Sequence, residues 1–205
     1  MLLDLLLVLG CGGGSTDPDP TPPSADAPEP DPGQPAEVTI GAGTLKPKRG
    51  RVLLKDLAAA LELEAASLCR ELGETPCLEV HGVGLGEIAP RFLRIYRPID
   101  GLLTGVVARD RVALHACAAR VARDAADERV ILPEGLGVLG DADARGRVVD
   151  RLAARLLDRQ LSDDDRADLV GLYATLRDQD VADPEAQWAI GSCFAIATLS
   201  ETLFY

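Results

Sequence analysis

From Arg111 to Asp124 the apolar positions Leu114, Cys117, Ala118 and Val121 fall at helical spacing, which predicts an amphipathic helix with Cys117 facing inward. The spacing returns in Val149, Leu152, Ala153 and Leu156, and again in Leu169, Leu172, Tyr173 and Leu176. Start signals accompany these runs. Asp141 to Gly146 reads as a capping connector before the Val148 helix, and Ser162 as the N-cap of a helix whose first turn holds Asp163, Asp164 and Asp165, where acids meet the positive dipole end. Asp183 caps a last helix with Pro184 at its first position. That helix, Glu185 to about Leu203, is apolar on most sides through Trp188, Ile190, Cys193, Phe194, Ile196 and Leu199, which predicts the central helix of a bundle. Its apolar part falls short of the ~20 residues that span a bilayer.

The first half is less regular. Val52 to Leu72 predicts two helices with a break near Glu62 to Glu64. Glu37 to Leu45 alternates over a few positions and predicts one short strand, as does Phe92 to Tyr96 inside a glycine- and proline-punctuated stretch from Leu78 to Asp110. Val130 to Asp143 reads as a glycine-broken connector. The fold class is therefore mainly α, an irregular bundle of four to six helices with at most a small β element.

The chain opens on Leu2, Leu3, Leu5, Leu6, Leu7, Val8 and Leu9, with Gly10 before Cys11. This is the pattern of an export signal. Val8-Leu9-Gly10-Cys11 resembles the lipobox of bacterial lipoproteins. The resemblance implies cleavage before Cys11, a diacylglycerol on its sulfur and an acyl chain on the new amino group, and so a lipid bilayer as partner; more than one chain is needed for stable anchoring. Gly12, where an aspartate would retain such a protein at the inner membrane, implies the outer membrane of a Gram-negative envelope. Asp4, and the lack of Lys or Arg before the apolar run, predict a start upstream of Met1. Residues 1–10 are then a signal peptide and 11–36 a lipidated, disordered acidic linker. Pro18, Pro20, Pro22, Pro23, Pro28, Pro30, Pro32 and Pro35 bar helix and central strand. As polyproline II it would reach roughly 70 Å. Residues 37–205 form one domain.

Composition sharpens this picture. A net charge of -12 opposes binding to nucleic acid. Aromatic residues make up 3% of the chain, and abundant alanine and leucine favour helices over sheet. With Cys11 lipidated, four of the 5 cysteines remain, which in an exported protein read as two disulfides with three connectivities open. Gly73 and Pro76 let the chain turn back between Cys69 and Cys77, favouring that pair and leaving Cys117 with Cys193.

Candidate chemistry is sparse. His81 follows Cys77 in Cys-Leu-Glu-Val-His, which lacks a cysteine and the spacing of a c-type haem site, and no cofactor is called for. His115, one turn from Arg111, reads as a partly exposed structural histidine. His81-Gly-Val-Gly-Leu-Gly-Glu87 is neither a dinucleotide fingerprint nor a Walker loop and predicts a turn with positive φ at some glycines. Asp141-Ala-Asp143-Ala-Arg145-Gly146 imitates the start of a calcium loop, but Arg145 occupies a ligand position and Leu152 stands where the bidentate glutamate belongs. Ser162 to Asp165 is a capped helix start, not a metal cluster, and Gly191-Ser192-Cys193 is not a nucleophile elbow. No catalytic or metal residue is assigned.

From Arg147 to Tyr205 the order of features is Leu152 to Leu157, Leu161-Ser162-Asp163-Asp164, Leu169 to Tyr173, then Leu199 to Leu203-Phe204-Tyr205. It resembles a helical domain of large secreted bacterial proteins, many of which carry cytochrome-c-like domains. The sequence thus leans away from an enzyme and towards an envelope lipoprotein serving as an interaction or scaffold module with a protein partner. The alternatives are an accessory subunit of a secreted cytochrome-bearing redox or catabolic system, and an enzyme using His81 and the Gly82 to Glu87 loop.

Overall fold

The computed structural model describes residues 46–88 and 103–204. The signal, Cys11, the linker and the strands expected over 37–45 and 92–96 lie outside the described residues. Among those described the protein is mainly helical. Its elements in order are α1 (Gly50–Ala60), β1 (Arg70–Glu71), β2 (Thr75–Pro76), α2 (Cys77–His81), α3 (Leu103–Ala125), a 3-10 turn (Leu136–Val138), α4 (Ala142–Leu156), α5 (Asp163–Asp178), α6 (Pro184–Ala197) and α7 (Ser200–Leu203). The strands form one antiparallel pair with Arg70 opposite Pro76 and Glu71 opposite Thr75.

The expected caps fix the starts of the last three long helices. Asp141 Oδ2 accepts from the Ala144 amide at 3.0 Å, Ser162 Oγ from Asp165 at 3.1 Å, and Asp183 Oδ1 from Ala186 at 3.4 Å. Each side chain satisfies an amide that has no partner within the helix. α6 packs against α3, α4 and α5 and is the centre of the bundle. Trp188 on α6 is fully buried and donates its indole N–H to the Leu169 carbonyl at 2.8 Å, tying α6 to α5.

Three expected boundaries move. The second helix expected near Leu68 to Leu72 does not form. After α1 the chain turns at Glu62 (φ 51), and Leu72 (φ 53) with Gly73 (φ 76) makes the tip of the β1–β2 hairpin, because burying Leu68 and Cys69 there requires a reversal. α3 begins at Leu103, two turns before Arg111. Gly105 allows this start, since a Cβ there would collide with the Gly84 carbonyl oxygen. The last helix ends at Ala197. Thr198 Oγ1 donates to the Phe194 carbonyl at 2.9 Å, and Leu199 is extended before α7.

Two buried arginines hold the connectors. Arg120 and Asp124 on α3 pair at 2.8 Å with side chains 1% and 0% exposed. Arg120 donates to the carbonyls of Leu61, Glu62 and Glu128, while Asp124 accepts from the amides of Val130, Ile131 and Leu132 at 2.9, 2.8 and 2.7 Å. Arg145 on α4 donates to the carbonyls of Leu139, Gly140 and Val170 and stacks 4.5 Å from the Tyr173 ring. Tyr173 Oη in turn donates to Glu185 Oε1 at 2.5 Å.

Candidate functional site

The densest cluster of chemically distinctive side chains lies around the hairpin. α2 follows β2 directly, so Cys77 opens the helix and His81 closes it one turn later. Cys69 and Cys77 stand at disulfide distance with Cα atoms 5.4 Å apart, and the Cys77 amide donates to the Cys69 carbonyl at 3.0 Å. Glu71 on β1 reaches back over α2. Its Oε1 accepts from His81 Nε2 at 2.7 Å, lies 3.3 Å from Arg111 Nη1 on α3 and sits 3.8 Å from Cys77 Sγ. The hydrogen bond from His81 holds the Glu71 carboxyl below its ordinary 4.5, with Arg111 and His115 adding to the effect and burial opposing it.

Beside this cluster a cleft of about 350 Å³ opens between α1, the turn after it and the hairpin. Leu54, Pro76 and Leu78 give it an apolar floor, Arg51 and Glu79 stand at its rim, and both Cys69 and Cys77 contribute to its wall. His81 does not line it. The histidine has an acid beside it and lines none of the described clefts, so among the described residues a carboxylate, an imidazole, a guanidinium and a disulfide come together beside the cleft and not within it.

The other sequence candidates separate. Cys117 on α3 and Cys193 on α6 stand at disulfide distance with Cα atoms 5.7 Å apart, both fully buried at the helix interface. The pairing favoured by the sequence is thus the one at bonding distance in both cases. His115 is exposed. The glycine-rich segment after His81 is a turn with positive φ at Gly86. It places the Leu85 carbonyl on the Gly50 amide at 2.8 Å and Glu87 Oε1 on the Arg51 amide at 3.0 Å, where the carboxylate meets the start of α1. Asp141 is a cap and Arg145 a buried brace. Ser192 lies in the core. Among the described residues no group of His, Cys, Asp or Glu could hold a metal ion, and no helix is long and apolar enough to cross a membrane.

Sequence reasoning missed Glu71 and Arg111 because Glu71 meets His81 across ten positions of chain and Arg111 meets Glu71 across forty. The available signal was the reversal at Gly73, which places Glu71 back over α2 once the helix expected there is given up.

These features define a helical bundle linked by two cysteine pairs, with an acid–imidazole–guanidinium cluster at its edge. The chain matches no family model, no curated protein and no solved structure.

Proposed function

We propose that the protein is an envelope lipoprotein in which Cys11 carries the lipid anchor, the acidic proline-rich linker spaces the domain from the bilayer, and the helical domain serves as an interaction or scaffold module for a protein partner. The observation that carries this reading is that all four cysteines beyond Cys11 stand in two pairs at disulfide distance. Such pairs form and persist in oxidising compartments, the destination implied by Val8-Leu9-Gly10-Cys11. By the same resemblance, Gly12 directs the anchor to the outer membrane. Labelled palmitate should enter the wild type and not Cys11→Ser, and the label should fractionate with outer membranes. If neither protein takes up label and both stay soluble, the anchor is refuted.

A second reading, an accessory subunit of a secreted cytochrome-bearing redox or catabolic system, draws on the order of α4, the Ser162-capped α5 and the apolar α6. This is the order of elements in the secreted helical domain that residues 147–205 resemble. Neighbouring genes encoding cytochrome-domain proteins would favour it over the scaffold, and their consistent absence would remove it.

A further inference from the structure

We propose that the Cys69–Cys77 disulfide is a thiol–disulfide exchange site, opened through the cleft by the thiol of a small molecule or of a partner protein, while Cys117–Cys193 stays closed. The two bonds differ in what can reach them. Cys117 and Cys193 are fully buried between α3 and α6, and neither lines a described cleft. Cys69 and Cys77 also expose little surface, but both form part of the wall of the 350 Å³ cleft. An incoming thiolate can therefore approach this bond with the fold intact.

The surrounding charges choose the sulfur. Glu71 Oε1 lies 3.8 Å from Cys77 Sγ, so its carboxylate stands against an anion approaching that atom and leaves Cys69 Sγ as the point of attack. The attacking sulfur bonds to Cys69 Sγ, the Cys69–Cys77 bond breaks, and the electron pair departs on Cys77. The Glu71 carboxylate 3.8 Å from that sulfur, itself paired with Arg111 and His81, disfavours a lasting thiolate there and favours its protonation. Cys77 takes up the proton that the incoming thiol released to water, and the resulting S–H can donate to Glu71. A second thiol attacking the mixed disulfide returns Cys69 as a thiol and leaves with the first as an external disulfide. The protein disulfide is reduced by two electrons and two external thiols are oxidised to one disulfide.

The test uses the intact, oxidised chain under native conditions, with reduced glutathione as probe, alkylation at timed intervals and mass mapping without reduction. The expected result is a glutathione adduct on Cys69 with Cys77 alkylated, forming at least ten times faster than any opening of Cys117–Cys193. Reaction of both disulfides at one rate, reaction of neither until denaturant is added, or an adduct on Cys77 would each overturn the proposal. Ala66→Trp, at an exposed position on the cleft wall, should slow the adduct at least tenfold with the helical circular dichroism unchanged. An unaltered rate in that folded variant would refute the route through the cleft.

Discussion

The two cysteine pairs join unlike parts of the molecule. Cys69–Cys77 closes a separation of 8 residues around a hairpin at the edge of the domain, and Cys117–Cys193 closes 76 residues between the longest helix and the central one. The edge region joins buried Leu68, Cys69, Cys77 and Leu85 to polar contacts, with Glu71, His81, Arg111 and Glu87 bracing two-residue strands and a one-turn helix against α1 and α3. The bundle is held by burial, with Trp188, Val149, Leu152 and Ile196 almost fully enclosed. One crosslink therefore shapes a local surface, and the other constrains the unfolded chain. The same bond has a different physical consequence in each place.

The strongest way to break this comparison is to remove each bond in turn. By loop-closure entropy the long link contributes about 4.5 kcal/mol and the short one about 2.5 kcal/mol. Urea unfolding of the double variant Cys117→Ser/Cys193→Ser should thus lose about 2 kcal/mol more than Cys69→Ser/Cys77→Ser. Equal losses would mean that the edge region is as integral to the fold as the bundle. Asp124→Ala tests the bundle from a polar side. It strands the buried Arg120 charge and three amides, and a loss of about 4 kcal/mol in urea unfolding is expected. A loss under 1 kcal/mol would show that solvent reaches this site.

Smaller effects sharpen the contrast. Ser162→Ala removes the cap of α5 and should cost about 1 kcal/mol in thermal or urea unfolding, with Thr restoring most of it. The edge region should respond to acid through Glu71. Because the folded Glu71 carboxyl titrates below its unfolded value of 4.5, its contribution is complete above that value and is lost as pH falls through the lowered one. Amide exchange of β1, β2 and α2 should quicken in that range while the buried part of α6 from Trp188 to Ala197 stays protected. Glu71→Gln should flatten the response, and an identical pH profile in the variant would assign the acid sensitivity elsewhere.

Much of the bundle was legible in the sequence because its signals are local. Asp141, Ser162 and Asp183 each precede an apolar run by a fixed interval, and each is found capping the helix so marked. Cys117 lies on the apolar face of its own helix, which pointed it towards another buried cysteine. The boundaries that moved depend on contacts distant in sequence or on a local change of backbone. The early start of α3 needs Gly84 against Gly105, and α6 stops where Leu199 turns extended. Arg120 and Asp124 were visible in principle, since they follow Cys117 at i+3 and i+7 on the same face. A charged pair there signals a buried brace once its burial is known, and not a break in the apolar stripe.

Where the described chain enters α1, the Lys48 amide donates to the Leu203 carbonyl at 2.8 Å, and Pro47 forms an isolated bridge with Phe204. Entry and exit of the folded unit consequently share one doorway. The unit can be spliced into a surface turn of another protein without prising that turn apart, because the host needs to supply little more than a strand-to-strand gap. Under tension between the two ends, the first bonds to yield are those of this short clasp. The mechanical load then opens it like a zip before reaching α6, and a pulling measurement would record a small early event ahead of the main rupture.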